Sequence, residues 1–158
     1  FGFMERKMRR QDRLATAEET TEILNEALYG ILSTAGNENM PYGVPLSYVY
    51  VNGNIYFHCA KEGRKLDNMA QNSHVCFTAV SKAETLADKF SVNFKSAIVE
   101  GKAEKVEDEN ERIAAFTEII KKYSPGFIKE GMEYIAKGAS AALIYKIVPE
   151  NISGKLRR

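Results

Sequence analysis

One stretch of the chain, Asn54 to Asn68 with the sequence NIYFHCAKEGRKLDN, constrains the fold more than any other. Its first residues, Ile55 to Phe57, are β-branched or aromatic, which favours a strand. From Leu66 onwards, apolar residues recur at intervals of three and four, which favours a helix. The chain must therefore pass from a strand into a helix near Gly63.

The start of this helix predicts an anion site. Free backbone N–H groups and the positive end of the helix dipole attract negative charge, and Arg64 and Lys65 follow Gly63 directly. Two cations at a helix N-terminus oppose the dipole unless an anion offsets them. The GxxxxGK[ST] spacing of a P-loop is absent. The residues alone leave two interpretations open, a solvated basic turn or a phosphate site.

The rest of the sequence predicts strands joined by short connections, with helices at the start, in the middle and near the end. Such an antiparallel set usually closes into a barrel, because closure removes exposed strand edges. The six predicted strands cover residues 29–35, 41–51, 54–60, 74–81, 91–106 and 140–148, and the predicted helices begin at Thr16, after Gly63, at Asp108 and near Lys129.

Turn and breaker residues refine this prediction. Asn52-Gly53 is a strong hairpin signal. Pro41 and Pro45 remove two ladder donors, so the first half of their strand is expected at an edge or in a bulge. Gly101 predicts a bulge in the fifth strand, and Pro149 is expected to end the sixth.

Composition limits the class of protein. The chain has 158 residues, 44% of them hydrophobic, so we expect one domain with a buried core. Its net charge is +1, which is too small to attract nucleic acid or an anionic membrane. No apolar run approaches the ~18 residues of a membrane span, and two cysteines are too few for a disulfide framework. We expect a cytoplasmic protein with an N-terminal arm over residues 1–15, of which 1–3 are a cloning remnant, and one domain over 16–158.

Side-chain motifs for catalysis are weak. His58 and Cys59 are neighbours on a strand and point to opposite faces, so they cannot form a dyad. His74 and Cys76 share a face, but zinc would need two more ligands, and we expect no metal site. GxSxG, HExxH and GxGxxG are absent from the sequence. An anion site without catalytic residues suggests that a cofactor supplies the chemistry. Some of the aromatic residues in the hairpin at residues 42–57 could wall a planar ring, although most are expected in the core.

Four segments in order carry a family resemblance: YGVPLSYVYVNGNIYFHCAKEGRKLDN, HVCFTAV, FSVNFKSAIVEGKAEKV and the terminal ISGK. Together they resemble the flavin-binding split-barrel proteins related to pyridoxamine 5′-phosphate oxidase, and most of all the branch named for 5-nitroimidazole antibiotic resistance. The resemblance implies a mainly β protein with peripheral helices (α+β), built as a six-stranded antiparallel split β-barrel. It also implies a homodimer with FMN at the subunit interface and electron transfer from reduced flavin to a small acceptor.

The resemblance also implies the site residues. The FMN-phosphate segment falls on the end of the third predicted strand and the helix start after it, at His58, Cys59, Ala60, Gly63, Arg64 and Lys65. The flavin ring lies beside the second predicted strand, and the partner subunit contributes the segment around Phe94. His58 matches the histidine near the flavin and is the one catalytic candidate. The implied cofactor-binding residues are Val44, Pro45, Leu46, Ser47, Tyr48, His58, Cys59, Ala60, Lys61, Gly63, Arg64, Lys65, Asn68, Lys95 and Ser96.

Some alternatives remain at this point. The pyridoxal-phosphate-binding Arg and His of the oxidase have no counterpart, so we do not expect oxidation of pyridoxamine phosphate. The cofactor could be FAD, or haem with His58 or His74 as axial ligand, in a binding module without catalytic activity. The physiological electron donor and acceptor are not specified by the sequence.

Overall fold

The computed structural model describes residues 6–138 and 142–158, which form seven strands and four α-helices. The strands are β1 (Gly30–Ala35), β2 (Pro41–Leu46), β3 (Val49–Val51), β4 (Asn54–Cys59), β5 (His74–Leu86), β6 (Ser91–Lys105) and β7 (Leu143–Arg157). The helices are α1 (Ala17–Glu26), α2 (Arg64–Gln71), α3 (Glu109–Tyr123) and α4 (Ile128–Gly138).

All seven strands form one antiparallel sheet in the order β2-β1-β5-β6-β7-β4-β3. The sequence predicted six strands, and the difference lies in residues 41–51. There the chain leaves the sheet at Ser47 and Tyr48, which divides the predicted strand into β2 and β3. The backbone of Tyr48 bonds to Tyr123 of α3 and not to a neighbouring strand, which explains the break.

The sheet curls around one core. Phe57 of β4, Phe77 of β5 and Ile147 of β7 are fully buried in one cluster, and Leu46 of β2 packs against it. Strands from both ends of the sheet order therefore share the same interior. Tyr48 joins them, because its ring meets the ring of Phe77 edge-on with a centroid distance of 4.6 Å.

Two helices pack into this interior. Helix α1 buries Ile23 and Leu24 in the core. A capping box of Thr16 and Glu19 starts it, at the residue where the sequence predicted the helix to begin. Helix α2 connects β4 to β5 and buries Leu66 and Met69. Its buried Asn68 donates a hydrogen bond of 2.9 Å to the hydroxyl of Thr34 on β1.

Helix α3 covers the outside of the sheet. Ala115 of α3 belongs to a second buried cluster with Val49, Tyr56 and Ile144 on strands β3, β4 and β7. Asp108 caps the start of α3 by accepting the N–H of Glu111, as its sequence predicted. Helix α4 packs on α3, so α4 lies further from the barrel.

The β6–β7 register shifts between Glu100 and Gly101, where the sequence predicted a bulge, but the extra residue is Glu150 on β7, because Glu100 pairs with Asn151 and Gly101 with Pro149. The prediction that Pro149 ends the last strand is wrong. Pro149 pairs with Gly101 at this bulge, where a missing N–H is tolerated, and β7 continues to Arg157. The predicted start of this strand, Ser140, lies outside the described residues. None of the helices within 6–138 and 142–158 is long and apolar enough to cross a membrane.

Candidate functional site

The break between β2 and β3 leaves two strand edges without neighbours in the described chain. Strand β2 is the first strand of the sheet and pairs only with β1. Strand β3 pairs with residues 54–56 of β4 alone, so residues 57–59 of β4 pair only with β7. Four residues separate the end of β4 from the start of α2, and the first residue of α2 contacts β2. The two free edges and the start of α2 therefore define the candidate site.

The start of α2 has no side-chain cap. Gly63 is the N-cap, with φ 147° and ψ 166°, a conformation that only glycine adopts readily. No side chain bonds the first-turn N–H groups there, and the first intrahelical bond runs from the N–H of Asp67 to the carbonyl of Gly63. The preceding N–H groups are available to an anion, as the sequence predicted for this turn.

Two cations stand at this helix start. The guanidinium of Arg64 lies 4.2 Å from the ring centroid of Tyr42 on β2, an exposed cation–π contact that links α2 to the strand edge. Lys65 is half-buried, and its charge lies near Cys59. Neither cation forms an ion pair within the described residues. Both therefore remain able to bind an anionic ligand.

The residues that lead into α2 divide between the two faces of β4. His58 is exposed on the outer face, with its ring centroid 6.3 Å from that of Phe116 on α3. Cys59 is buried on the inner face, and burial raises the pKa of its thiol, which the nearby Lys65 partly offsets. Ala60 and Lys61 follow in an exposed loop. His58 and the loop are accessible to a ligand, whereas the Cys59 side chain belongs to the interior.

The residues predicted to lie beside the flavin ring, Val44 to Tyr48, are on and just after β2, which has a free edge. Val44 and Leu46 are half-buried and pack on the core, while Pro45 and Ser47 are exposed. A strand tolerates proline where its missing N–H faces away from the neighbouring strand. The free edge at Pro45 therefore offers a carbonyl without a competing donor.

Tyr48 differs from the other residues predicted to lie beside the ring, because it is buried. Its ring is fully buried, and its hydroxyl donates to the carbonyl of Leu24 on α1. Its N–H donates to the hydroxyl of Tyr123 at 2.9 Å, and its carbonyl accepts from the ammonium of Lys122 at 3.1 Å. Tyr48 therefore anchors the chain just after β2, and its own backbone groups already have hydrogen-bond partners.

Three other predicted residues lie away from the free edge. The Asn68 side chain is buried beneath α2 and bonded to Thr34. Lys95 and Ser96 lie on β6, three strand positions from β2 and so about 14 Å across the sheet. As neighbours on a strand they point to opposite faces. Within one chain, the structure does not bring these residues to the β2 edge.

The structure adds three residues to the candidate site. Tyr42 was noted in the sequence only as one of several aromatics, and it is the residue that Arg64 covers. Lys122 and Tyr123 lie more than seventy residues from Tyr48 in the sequence, yet both bond its backbone. Tyr123 continues the apolar stripe of Ile113, Phe116 and Ile120 along its helix. No local sequence signal connects this stripe with the break between β2 and β3.

Other cavities do not coincide with this edge. A cavity of about 690 Å³ lies between the N-terminal arm, α1 and β7, lined by Arg6, Tyr50 and Ser153 among others. His74 and Cys76 line a shallower cavity of about 370 Å³ at the outer face of β5. Within 6–138 and 142–158, no group of three or more His, Cys, Asp or Glu side chains could hold a metal ion.

Comparison with known families gives one match. The family model described as pyridoxamine 5′-phosphate oxidase matches residues 16–156, nearly the whole chain. No curated protein sequence matches the chain.

Three solved structures illustrate the likeness of the fold. A protein named for 5-nitroimidazole antibiotic resistance, from Bacteroides thetaiotaomicron, has a TM-score of 0.77 at 24% identity over 90% of this chain and 86% of its own. The FAD and haem binding protein from Mycobacterium smegmatis has a TM-score of 0.78 at 16% identity over 92% and 74%. A FAD-binding protein from Mesorhizobium loti has a TM-score of 0.65 at 21% identity over 92% and 98%. At these identities the similarity shows a shared fold.

Proposed function

We propose that this chain, which belongs to the pyridoxamine 5′-phosphate oxidase family, is a flavin-binding oxidoreductase whose cofactor lies along the free edge of β2. One observation carries the proposal. The uncapped start of α2, with two cations that have no carboxylate partner in the described chain, adjoins a strand edge that no other strand covers. Solved structures with this fold include proteins named for FAD binding, which supports a flavin as the ligand.

The phosphate of FMN fits the start of α2. The free N–H groups after Gly63 suit phosphate oxygens, and Arg64 and Lys65 supply the positive charge. Each charge-assisted hydrogen bond would contribute about 1.5–3 kcal/mol. The exposed loop at Ala60 and Lys61 could contribute further donors. FMN is the cofactor we propose, with FAD as the alternative.

The flavin ring fits the backbone of residues 44–47. The amide-like edge of an isoalloxazine can pair with free strand groups there, as a further strand would. When bound, the flavin supplies hydride-accepting and electron-donating chemistry that the side chains lack. Overall, a reduced nicotinamide would lose a hydride, and a nitroaromatic would take two electrons and two protons to give a nitroso compound and water. The second proton comes from solvent.

His58 has two candidate roles. It is exposed beside the loop that leads to α2, within reach of a ligand in that loop. We assign it first to a hydrogen bond with the phosphate or the backbone, and second to proton donation to the acceptor or its orientation. In His58→Ala, loss of flavin affinity would support the first role, whereas loss of turnover with unchanged affinity would support the second.

The complete site requires a homodimer in this proposal. Lys95 and Ser96 lie about 14 Å across the sheet from β2 in the same chain. A second copy could bring its own β6 to the edge that no strand covers. The open character of the site in one chain supports this arrangement, and sedimentation velocity with and without flavin tests it.

A direct test starts with the colour of the purified protein. We expect a yellow protein with two broad flavin bands, and chromatography of the released cofactor distinguishes FMN from FAD. The double variant Arg64→Ala with Lys65→Ala should weaken FMN binding at least tenfold, measured by fluorescence quenching. The matched control, Lys121→Ala with Lys129→Ala, removes two exposed cations elsewhere and should bind like the parent. Equal affinity in the Arg64 and Lys65 variant would refute the phosphate assignment.

Haem binding without catalysis is the second candidate. One structure with this fold is named for binding both FAD and haem, and His74 lines a cavity of about 370 Å³. A single intense Soret band, lost in His74→Ala or His58→Ala, would support haem. Stopped-flow mixing of the reduced protein with nitroaromatics then separates an enzyme from a carrier.

A further inference from the structure

Lys122 is a partly buried cation at the break between β2 and β3. Its ammonium donates to the carbonyl of Tyr48 at 3.1 Å and lies 4.0 Å from the centroid of the Tyr48 ring. The centroid of the Tyr123 ring is 5.3 Å away. No carboxylate of the described chain pairs with this lysine. A carbonyl and two aromatic faces attract the charge, but they do not neutralise it.

Partial burial of Lys122 destabilises its charged form, because the ammonium loses part of its contact with water. Burial lowers the pKa of its ammonium to about 8, so at pH 7 the group still carries its proton. An ammonium has three N–H donors, and in the described chain only one of them has an acceptor. Lys122 is only half-buried, so its other two N–H groups remain accessible to water or to a ligand. The position therefore suits a group that meets negative charge from outside the chain.

The second observation is where this cation lies. Strand β2 spans six residues, or about 20 Å. Arg64 of α2 contacts Tyr42 near its first residue, and Lys122 of α3 bonds the carbonyl of Tyr48 just beyond its last. The free edge thus has an unpaired cation at each end, contributed by two different helices. A flavin laid along this edge with its phosphate at Arg64 would direct its ring towards Lys122.

We propose that Lys122 is an electrostatic residue of the flavin site, whose ammonium stabilises the negative charge that the ring acquires on reduction. This inference rests on the proposed function. A hydride brings two electrons and one proton, which leaves the reduced ring with one negative charge. Charge placed near the ring nitrogens is one of the means by which a protein tunes a flavin. Lys122 therefore binds the reduced cofactor more tightly than the oxidised one.

The test measures the midpoint potential of the bound flavin by spectroelectrochemical titration. Lys122→Met removes the charge and the hydrogen bond to Tyr48, whereas Lys122→Gln removes the charge and keeps a donor. Both should weaken binding of reduced flavin about tenfold relative to oxidised flavin, which lowers the potential of a two-electron couple by about 30 mV. Lys122→Arg should keep the parent potential. The control is Lys121→Met, which removes an exposed neighbouring charge and should also leave it unchanged.

Three outcomes would contradict the inference, each in a distinct way. An unchanged potential in Lys122→Gln, with flavin bound and the fold intact by circular dichroism, means that Lys122 only holds α3 in place. A lowered potential in Lys122→Met alone means that the hydrogen bond to Tyr48 matters and the charge does not. A parent protein that takes up no flavin overturns the proposed function as well.

Discussion

The hydroxyl oxygen of Tyr123 lies 2.9 Å from both the backbone nitrogen and the carbonyl oxygen of Tyr48. It also lies 2.8 Å from the carbonyl of Leu28. A phenol has one proton to donate, so it can serve only one of the two carbonyls. Lys122 donates to the Tyr48 carbonyl, which leaves the Tyr123 proton for Leu28. Helix α3 therefore replaces, at the break, the ladder bonds that a continuous strand would make.

Removing this hydroxyl should destabilise the protein. In Tyr123→Phe, the part-buried N–H of Tyr48 loses its acceptor, and the exposed carbonyl of Leu28 loses its donor. We expect the free energy of unfolding to fall by about 1–3 kcal/mol, measured by urea denaturation. The control Tyr134→Phe removes a hydroxyl from a side chain that is 78% exposed and should change stability by less than about 0.5 kcal/mol. Equal effects in the two variants would mean that the bonds to Tyr48 and Leu28 contribute nothing net.

Gly101, which faces the bulge in β7, should not accept a side chain. A Cβ atom there would overlap the backbone of Val148 and Pro149, which cannot move aside without disturbing β7. We expect Gly101→Ala to lower the free energy of unfolding by about 1–3 kcal/mol, measured by thermal or urea unfolding. Gly126→Ala is the matched control, because nothing lies within 4 Å of its added Cβ. A Gly101→Ala variant as stable as this control would show that the bulge can relax.

The buried pair between Asn68 and Thr34 should couple energetically. Both side chains are buried, and their hydrogen bond of 2.9 Å joins α2 to β1. Asn68→Leu or Thr34→Val alone leaves a buried polar group unpaired, which should lower the free energy of unfolding by about 1–3 kcal/mol. The double variant should cost less than the sum of the single variants, because no orphan remains. A double-mutant cycle by urea unfolding measures this coupling, and strict additivity would contradict it.

Local sequence signals predicted the parts of the fold that depend on neighbouring residues. The capping box of Thr16 and Glu19, the cap at Asp108 and the helix start at Gly63 are each determined within one turn of helix, and all three occur. The register shift at Gly101 was predicted from the glycine alone, although its extra residue lies on the facing strand β7. These features need no knowledge of the tertiary structure.

Features that depend on distant partners were not predictable. The break at Tyr48 requires the Tyr123 hydroxyl, 75 positions later in the chain. The passage of β7 through Pro149 requires the register shift opposite Gly101, where Glu150 of β7 has no partner on β6. At the candidate site, the start of α2 was visible in the sequence, whereas the cation at the other end, Lys122, was not. The position of Lys122 beside Tyr48 depends on how α3 packs on the sheet, and the hydrophobic pattern of the helix does not predict this packing.

Glu111 gives the protein a defined loss of stability in acid. Its carboxylate accepts a hydrogen bond from Tyr56 at 2.6 Å and one from Lys146 at 3.0 Å. These two bonds, first that of Tyr56 and then that of Lys146, lower the pKa of Glu111 below its ordinary value. A glutamate in the unfolded chain has a pKa of about 4.3. The stabilisation is therefore complete above that pH and is lost as the pH falls through the lower, folded value.

Glu111→Gln should consequently alter the acid limb of the stability profile. The side chain is 29% exposed, so at pH 7 we expect the variant to lose only about 1 kcal/mol of unfolding free energy. This difference from the parent should shrink as the pH is lowered from 5 to 3, because the parent carboxylate becomes protonated while the amide does not titrate. Urea unfolding at each pH measures it. Glu118→Gln, which breaks an exposed pair with Lys121, is the control and should show a small difference throughout. A difference for Glu111→Gln that stays constant down to pH 3 would mean that its carboxylate is not preferentially stabilised in the folded protein.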